Sequence, residues 1–250
     1  MTDHEFVIFP AIDLRNGKVV RLSEGDPNRQ TRYSDQPAET ARAWLKAGAS
    51  WLHVINLDAA LGEDDSLNRA ALREILQTAG EFGAKVQYGG GVRDLEAAEQ
   101  LLHLGVQRVI LGTLAISQPE LVQQAIENWG ADRVAVSLDA RGSEVMVRGW
   151  QENSQADIWT VANHLKAAGL RWLVYTDVSR DGMQTGFNLE TTFDLAWQSG
   201  LDVIASGGVR SIEDVQAARQ ACLGGIILGR ALYEGKLDLQ DAIARYQHAG

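Results

Sequence analysis

Two short glycine-rich stretches constrain this chain more than anything else in it: GGGVR at 89–93 and SGGVR at 206–210. Ordering consecutive glycines costs backbone entropy, so the same turn twice calls for a reason. The spacing from Gly90 to Gly207 is 117 residues, and VILGT (109–113) returns as IILGR (226–230) at the same spacing. Upstream, AGASWLHVINLD (47–58) aligns with AGLRWLVYTDVS (168–179) at 121 residues, pairing Trp51 with Trp172 and Leu52 with Leu173. AIDLRNGKVV from Ala11 resembles SLDARGSEVMV from Ser137, pairing Asp13 with Asp139 and Arg15 with Arg141. Four echoes in one order point to an internal duplication, with half-units of about residues 1–125 and 126–250. A unit that long is a half-domain, not a solenoid repeat.

Eight short runs rich in Val, Ile and Leu alternate with amphipathic stretches: 6–12, 51–55, 84–88, 108–112, 133–138, 171–176, 202–206 and 225–229. Their apolarity is continuous, as in parallel strands covered on both faces by helices. Eight strand–helix units in 250 residues predict an α/β fold, an eight-stranded parallel β/α (TIM) barrel forming a single domain. A doubly wound open sheet has the same periodicity. The duplication favours the barrel, because two four-unit halves close about a pseudo-two-fold axis, whereas an open sheet needs dissimilar edges.

Composition limits the partners. A net charge of −10 argues against a general nucleic-acid or anionic-membrane surface, so an anionic ligand must be held locally. Cys222 is the one cysteine, the first residues lack the pattern of a signal peptide, and no apolar run is long enough to span a bilayer. A cytoplasmic, monomeric protein is expected.

Barrel chemistry sits at the C-terminal ends of the strands. Asp13 and Asp139 fall there in the first and fifth units, equivalent under the repeat, and two carboxylates across a barrel mouth suit general acid–base work. Either alone could merely cap a turn. The glycine-rich segments follow strands 3, 4, 7 and 8, where bare backbone amides can grip an anion. Two such cradles predict a substrate with a phosphate at each end, with the carboxylates between them.

At this level of detail the chain resembles a known family. FPAIDLRNGKVVRLSEGD, LHVINLDAA, GGGVRD, SLDARG, YTDVSRDGMQTGFN, SGGVRS and GIILGRALY together resemble the histidine-biosynthesis isomerases, duplicated half-barrels that act on a phosphoribosylformimino-aminoimidazole-carboxamide ribotide. The resemblance covers about residues 7–233. It implies an Amadori rearrangement of an aminoaldose to an aminoketose, on a small bisphosphorylated ribonucleotide, with neither metal nor organic cofactor. It gives Asp13 the part of general base, Asp139 that of general acid and Thr176 a supporting place. Phosphate contacts fall on Gly91, Gly112 and Thr113 in one half, and on Gly182, Gly208, Gly229 and Arg230 in the other. Arg148 and Trp150 match loop residues that close over the substrate, although an indole there could equally pack the loop onto the barrel. Thr176 could be an ordinary strand residue, and His53 a core histidine.

One departure from the family pattern is Asn56, where many members carry an aspartate, so the electrostatic tuning nearby is expected to differ. Rival readings are the sister cyclase of the pathway, which favours a cysteine and a lysine where this chain has Ile12 and Arg15, and an isomerase that also accepts phosphoribosylanthranilate. A non-catalytic phosphate-binding barrel would need neither carboxylate.

Overall fold

The computed structural model describes residues 6–23 and 25–247. Eight strands form the barrel: β1 (Val7–Arg15), β2 (Trp51–Asn56), β3 (Lys85–Gly89), β4 (Arg108–Leu111), β5 (Val134–Arg141), β6 (Trp172–Asp177), β7 (Asp202–Ser206) and β8 (Gly225–Leu228). Each pairs in parallel with the next, and β8 pairs with β1, which closes the ring. β1 and β5 therefore stand opposite each other.

The alternation along each strand explains the continuous apolarity of the sequence. On β2, Leu52 and Val54 are fully buried against the helical layer, while Trp51 packs with the interior cluster that includes Phe9, Ile110, Trp172 and Ile204. Leu173 on β6 repeats the placement of Leu52. Each such leucine contributes about 2 kcal/mol by leaving water. Helices end where glycine permits a left-handed residue, as at Gly105 and Gly200. Among the described residues no helix is long and apolar enough to cross a membrane.

Two features go beyond the eight-strand reading, and each occurs in both halves. β1 continues into antiparallel strands Lys18–Ser23 and Asp26–Ser34, and β5 into Glu144–Val147 and Glu152–Asp157. Loops 1 and 5 are thus hairpins. After β4 and β8 come short helices, Thr113–Ser117 and Arg230–Tyr233, entered through Gly112 (φ −99°, ψ −103°) and Gly229 (φ −111°, ψ −110°). The duplication extends to backbone angles.

Candidate active site

At the C-terminal end of the barrel lies a cavity of about 660 Å³, within the usual range for small-molecule sites. Asp13, Gly91, Gly112, Thr113, Asp139, Arg148, Trp150 and Thr176 border it. Gly182, Gly208, Gly229 and Arg230 border an adjoining recess, which shares Arg21, Asp181, Ser206 and Ile227 with the cavity. The residues singled out in the sequence therefore converge from both halves on one region.

The two cradles are built alike. Gly90 and Gly91 have φ of 95° and 74°, and Gly207 and Gly208 of 83° and 86°, a region that side chains disfavour. Space is as tight as conformation: a Cβ on Gly208 would lie 2.6 Å from the Gly186 carbonyl oxygen, and one on Gly91 would run into Ala59. Gly91→Ala is expected to cost about 2 kcal/mol of stability, read as a lowered midpoint in denaturant unfolding. Unchanged stability would mean that the loop relaxes freely.

Asp13 is partly buried, and its carboxylate accepts from Nη1 of Arg21 at 2.8 Å. Burial dominates and, with Asp181 adding like charge against the pull of Arg21, lifts its pKa to about 6. Arg21 also faces Asp181 at 3.7 Å, and its Nε is buried without a hydrogen-bond partner among the described residues. A Cβ on Gly229 would collide with this guanidinium. The Arg21 guanidinium therefore lies between Asp13, Asp181 and the second cradle, with its Nε unpaired among the described residues. Asp139 is likewise raised by burial and by the like charge of Asp181, while the Trp150 indole, Thr176 and Ser137 favour its ionised form. Burial also raises Asp181, against Arg21, the Gly182 amide and Arg230.

The hairpin after β5 covers the mouth. Arg148 and Trp150 have φ of 53° and 68°, uncommon for non-glycine residues and found at strained functional turns. The turn carries the indole over Asp139 and rests it on Gly25 of the hairpin after β1. The Arg148 side chain is exposed and pairs with Glu152 at 2.9 Å, whereas its backbone N–H donates to Thr113 Oγ1 at 2.9 Å. It is this residue's backbone that ties the hairpin to the first cradle. Arg230 donates to the Gly182 carbonyl at 2.8 Å and pairs with Glu234 at 2.6 Å.

Asn56 stands apart from the cavity. It caps the helix Leu57–Leu61 by accepting from the Ala59 N–H, and its amide donates to Asp65 and to the Tyr88 hydroxyl, both at 2.9 Å. An aspartate there would set a carboxylate against Asp65, so asparagine suits this network. Arg21 and Asp181 were not singled out from sequence, although both lie inside quoted motifs. Their signal is asymmetry: at the 121-residue spacing Asp181 corresponds to Ala60.

Comparison with known proteins adds the chemistry. The family model described as "Histidine biosynthesis protein" matches residues 7–238. Proteins named 1-(5-phosphoribosyl)-5-((5-phosphoribosylamino)methylideneamino) imidazole-4-carboxamide isomerase are similar over nearly their whole length. That of Rhizorhabdus wittichii is 45% identical, covering 95% of this chain and 97% of its own. That of Desulfitobacterium hafniense is 44% identical (94% and 95%), and that of Zymomonas mobilis 43% identical (100% and 99%).

Proposed function

The chain belongs to the histidine biosynthesis protein family, and from that membership we propose that it is the isomerase whose name its relatives carry. It converts the aminoaldose N-(5′-phosphoribosylformimino)-5-aminoimidazole-4-carboxamide ribonucleotide to its ribulosyl form. The observation that carries this reading is the pair of partly buried carboxylates, Asp13 and Asp139, at repeat-equivalent strands of one cavity with a glycine cradle contributed by each half.

The chemistry follows from two carboxylates in opposite protonation states. Asp139 gives its proton to the furanose ring oxygen as the C1′–O bond breaks, and the nitrogen lone pair completes a protonated Schiff base. Asp13, ionised, removes the proton from C2′; the C–H electrons form the C1′–C2′ double bond and neutralise the nitrogen, giving an enolamine. Tautomerisation delivers a proton from Asp13 to C1′ while the enol oxygen returns one to Asp139. The ketone forms and both carboxyl groups are restored.

In this reading Thr176 steadies Asp139, and the Trp150 indole offers a stacking face to the imidazole. The first cradle, with Gly91, Gly112 and Thr113, takes one phosphate; Gly182, Gly208, Gly229 and Arg230, joined by Arg21, take the other. Its partner is a small bisphosphorylated ribonucleotide, and it works as a monomeric single-domain barrel in the cytoplasm, without nucleic acid or membrane. Purified protein given the aminoaldose, with product formation followed through the coupled cyclase, is expected to turn it over. Absence of turnover would overturn the proposal, and phosphoribosylanthranilate in a parallel assay is expected to be a far poorer substrate.

A further inference from the structure

Below Asp13 the barrel interior carries three polar side chains that the two carboxylates do not account for. His53, Gln87 and Arg108 are lateral neighbours on β2, β3 and β4, His53 opposite Gln87 and Gln87 opposite Arg108 in the parallel register. All three are buried. The Arg108 guanidinium lies between the rings of Trp51 and Trp172, at 4.6 and 4.0 Å from their centroids. It donates Nε–H to the Asp132 carbonyl at 3.0 Å and Nη1–H to Gln87 at 3.1 Å.

The donor inventory then fixes every proton in the row. Arginine only donates, so the Gln87 atom facing it must be the carbonyl oxygen. That turns the Gln87 amide nitrogen toward Nδ1 of His53, 2.9 Å away. An amide nitrogen only donates as well, so Nδ1 must accept. A neutral imidazole whose Nδ1 accepts carries its proton on Nε2, and His53 is among the residues that line the cavity. Burial, with Arg21 second, pushes the ring's pKa down to about 3, which keeps it neutral.

The duplication supplies the comparison. At spacings of 121, 117 and 117 residues the equivalents of His53, Gln87 and Arg108 are Val174, Ile204 and Gly225. Val174 and Ile204 belong to the apolar interior cluster, and the Phe9 ring packs over Gly225. Apolar packing thus satisfies the same three positions in the other half. Three buried polar groups are costly unless fully paired, and packing alone does not call for them.

We propose that Arg108 and Gln87 are positioning residues that lock His53 with its proton on Nε2, so that the ring presents a neutral N–H donor to a hydroxyl oxygen of the phosphoribosyl group undergoing rearrangement. The bond orients the sugar over Asp13 and transfers no proton. The identity of the sugar rests on the isomerase reading; the relay does not.

The first test needs no substrate. Nitrogen-resolved NMR of the intact protein, with the His53 signals assigned by their loss in His53→Gln, is expected to show the Nε2–H tautomer. An Nδ1–H tautomer or a protonated ring at neutral pH overturns the relay whatever the turnover. The second test is Gln87→Glu, whose carboxylate still accepts from Arg108 but now also demands a proton from Nδ1, turning Nε2 from donor to acceptor. Its kcat/KM is expected to fall about ten- to a hundredfold, the scale of one buried hydrogen bond lost. His53→Gln, whose amide can accept from Gln87 and donate to the cavity, is expected to stay within about fivefold of the wild type, and His53→Leu is not. Gln87→Glu at wild-type kcat/KM, or equal losses in the two His53 variants, overturns the proposal. Should Gln87→Glu fail to fold, the tautomer in the wild-type protein decides. A wild-type protein without turnover would strike the isomerase reading instead, leaving the NMR result to judge the relay.

Discussion

Asp13→Asn is expected to lower kcat about a thousandfold, the scale of a lost general base, while leaving a folded protein. The pH dependence carries the argument. As a base Asp13 must be ionised, and burial holds its pKa at about 6, so wild-type kcat/KM should rise with pH through that value, before loss of the acid's proton lowers it on the alkaline side. The limb should vanish in Asp13→Asn, whose residual rate has no titrating base behind it. Arg21 lowers the pKa of Asp13, so Arg21→Met should move the limb to higher pH. Stability separates chemistry from unfolding. The folded pKa of about 6 lies above the ordinary value of 3.8, so the stability linked to this group is full below 3.8 and is lost as pH rises through 6. Above that pH the buried charge weighs against the fold, and Asp13→Asn should be no less thermally stable than the wild type. A variant that keeps its turnover, or a limb that stays in place, would remove Asp13 from the mechanism.

What could be read from the sequence follows a physical rule. The barrel strands were legible because both faces of each are buried, which leaves continuous apolar runs such as Val134–Leu138. The cradles were legible because only glycine tolerates the backbone of Gly91 and Gly208, and the duplication wrote each twice. The hairpins were not. Asp26–Ser34 is polar and largely exposed, so its pairing rests on backbone hydrogen bonds that leave no apolar period. Arg21 stayed hidden because it lies on such a hairpin strand, and Asp181 because it sits where the halves differ. Asn56 departs from the family pattern in charge, and its place as a helix cap in a hydrogen-bond network with Asp65 and Asn68 was not legible from the sequence. The repeat marks the scaffold and the glycine cradles. Asp13 and Asp139 are themselves repeat-equivalent, and the side chains packed around them, Arg21, Asp181 and the row from His53 to Arg108, lie where the repeat is broken.

That asymmetry makes the contrast between Asp139 and Asp181 the sharpest remaining test of the acid. Both are partly buried and both are pushed toward the protonated form, so a titration shift does not separate them. Their surroundings do. Asp139 is met by uncharged donors, Trp150, Thr176 and Ser137, with Asp181 adding like charge, whereas Asp181 faces the permanent charge of Arg21 at 3.7 Å. A carboxyl beside an arginine is held toward its anion, which suits orienting Arg21 better than donating a proton. Asp139→Asn is therefore expected to cut kcat by about two to three orders of magnitude and to abolish the alkaline limb of the pH profile, because the acid must be protonated to act. Asp181→Asn should cost about tenfold through a misplaced Arg21. It should also move the acid limb to lower pH, since Asp181 raises the pKa of Asp13 by like charge. Steady-state profiles of the two variants give opposite signatures, and an alkaline limb lost in Asp181→Asn but kept in Asp139→Asn would transfer the acid's role to Asp181.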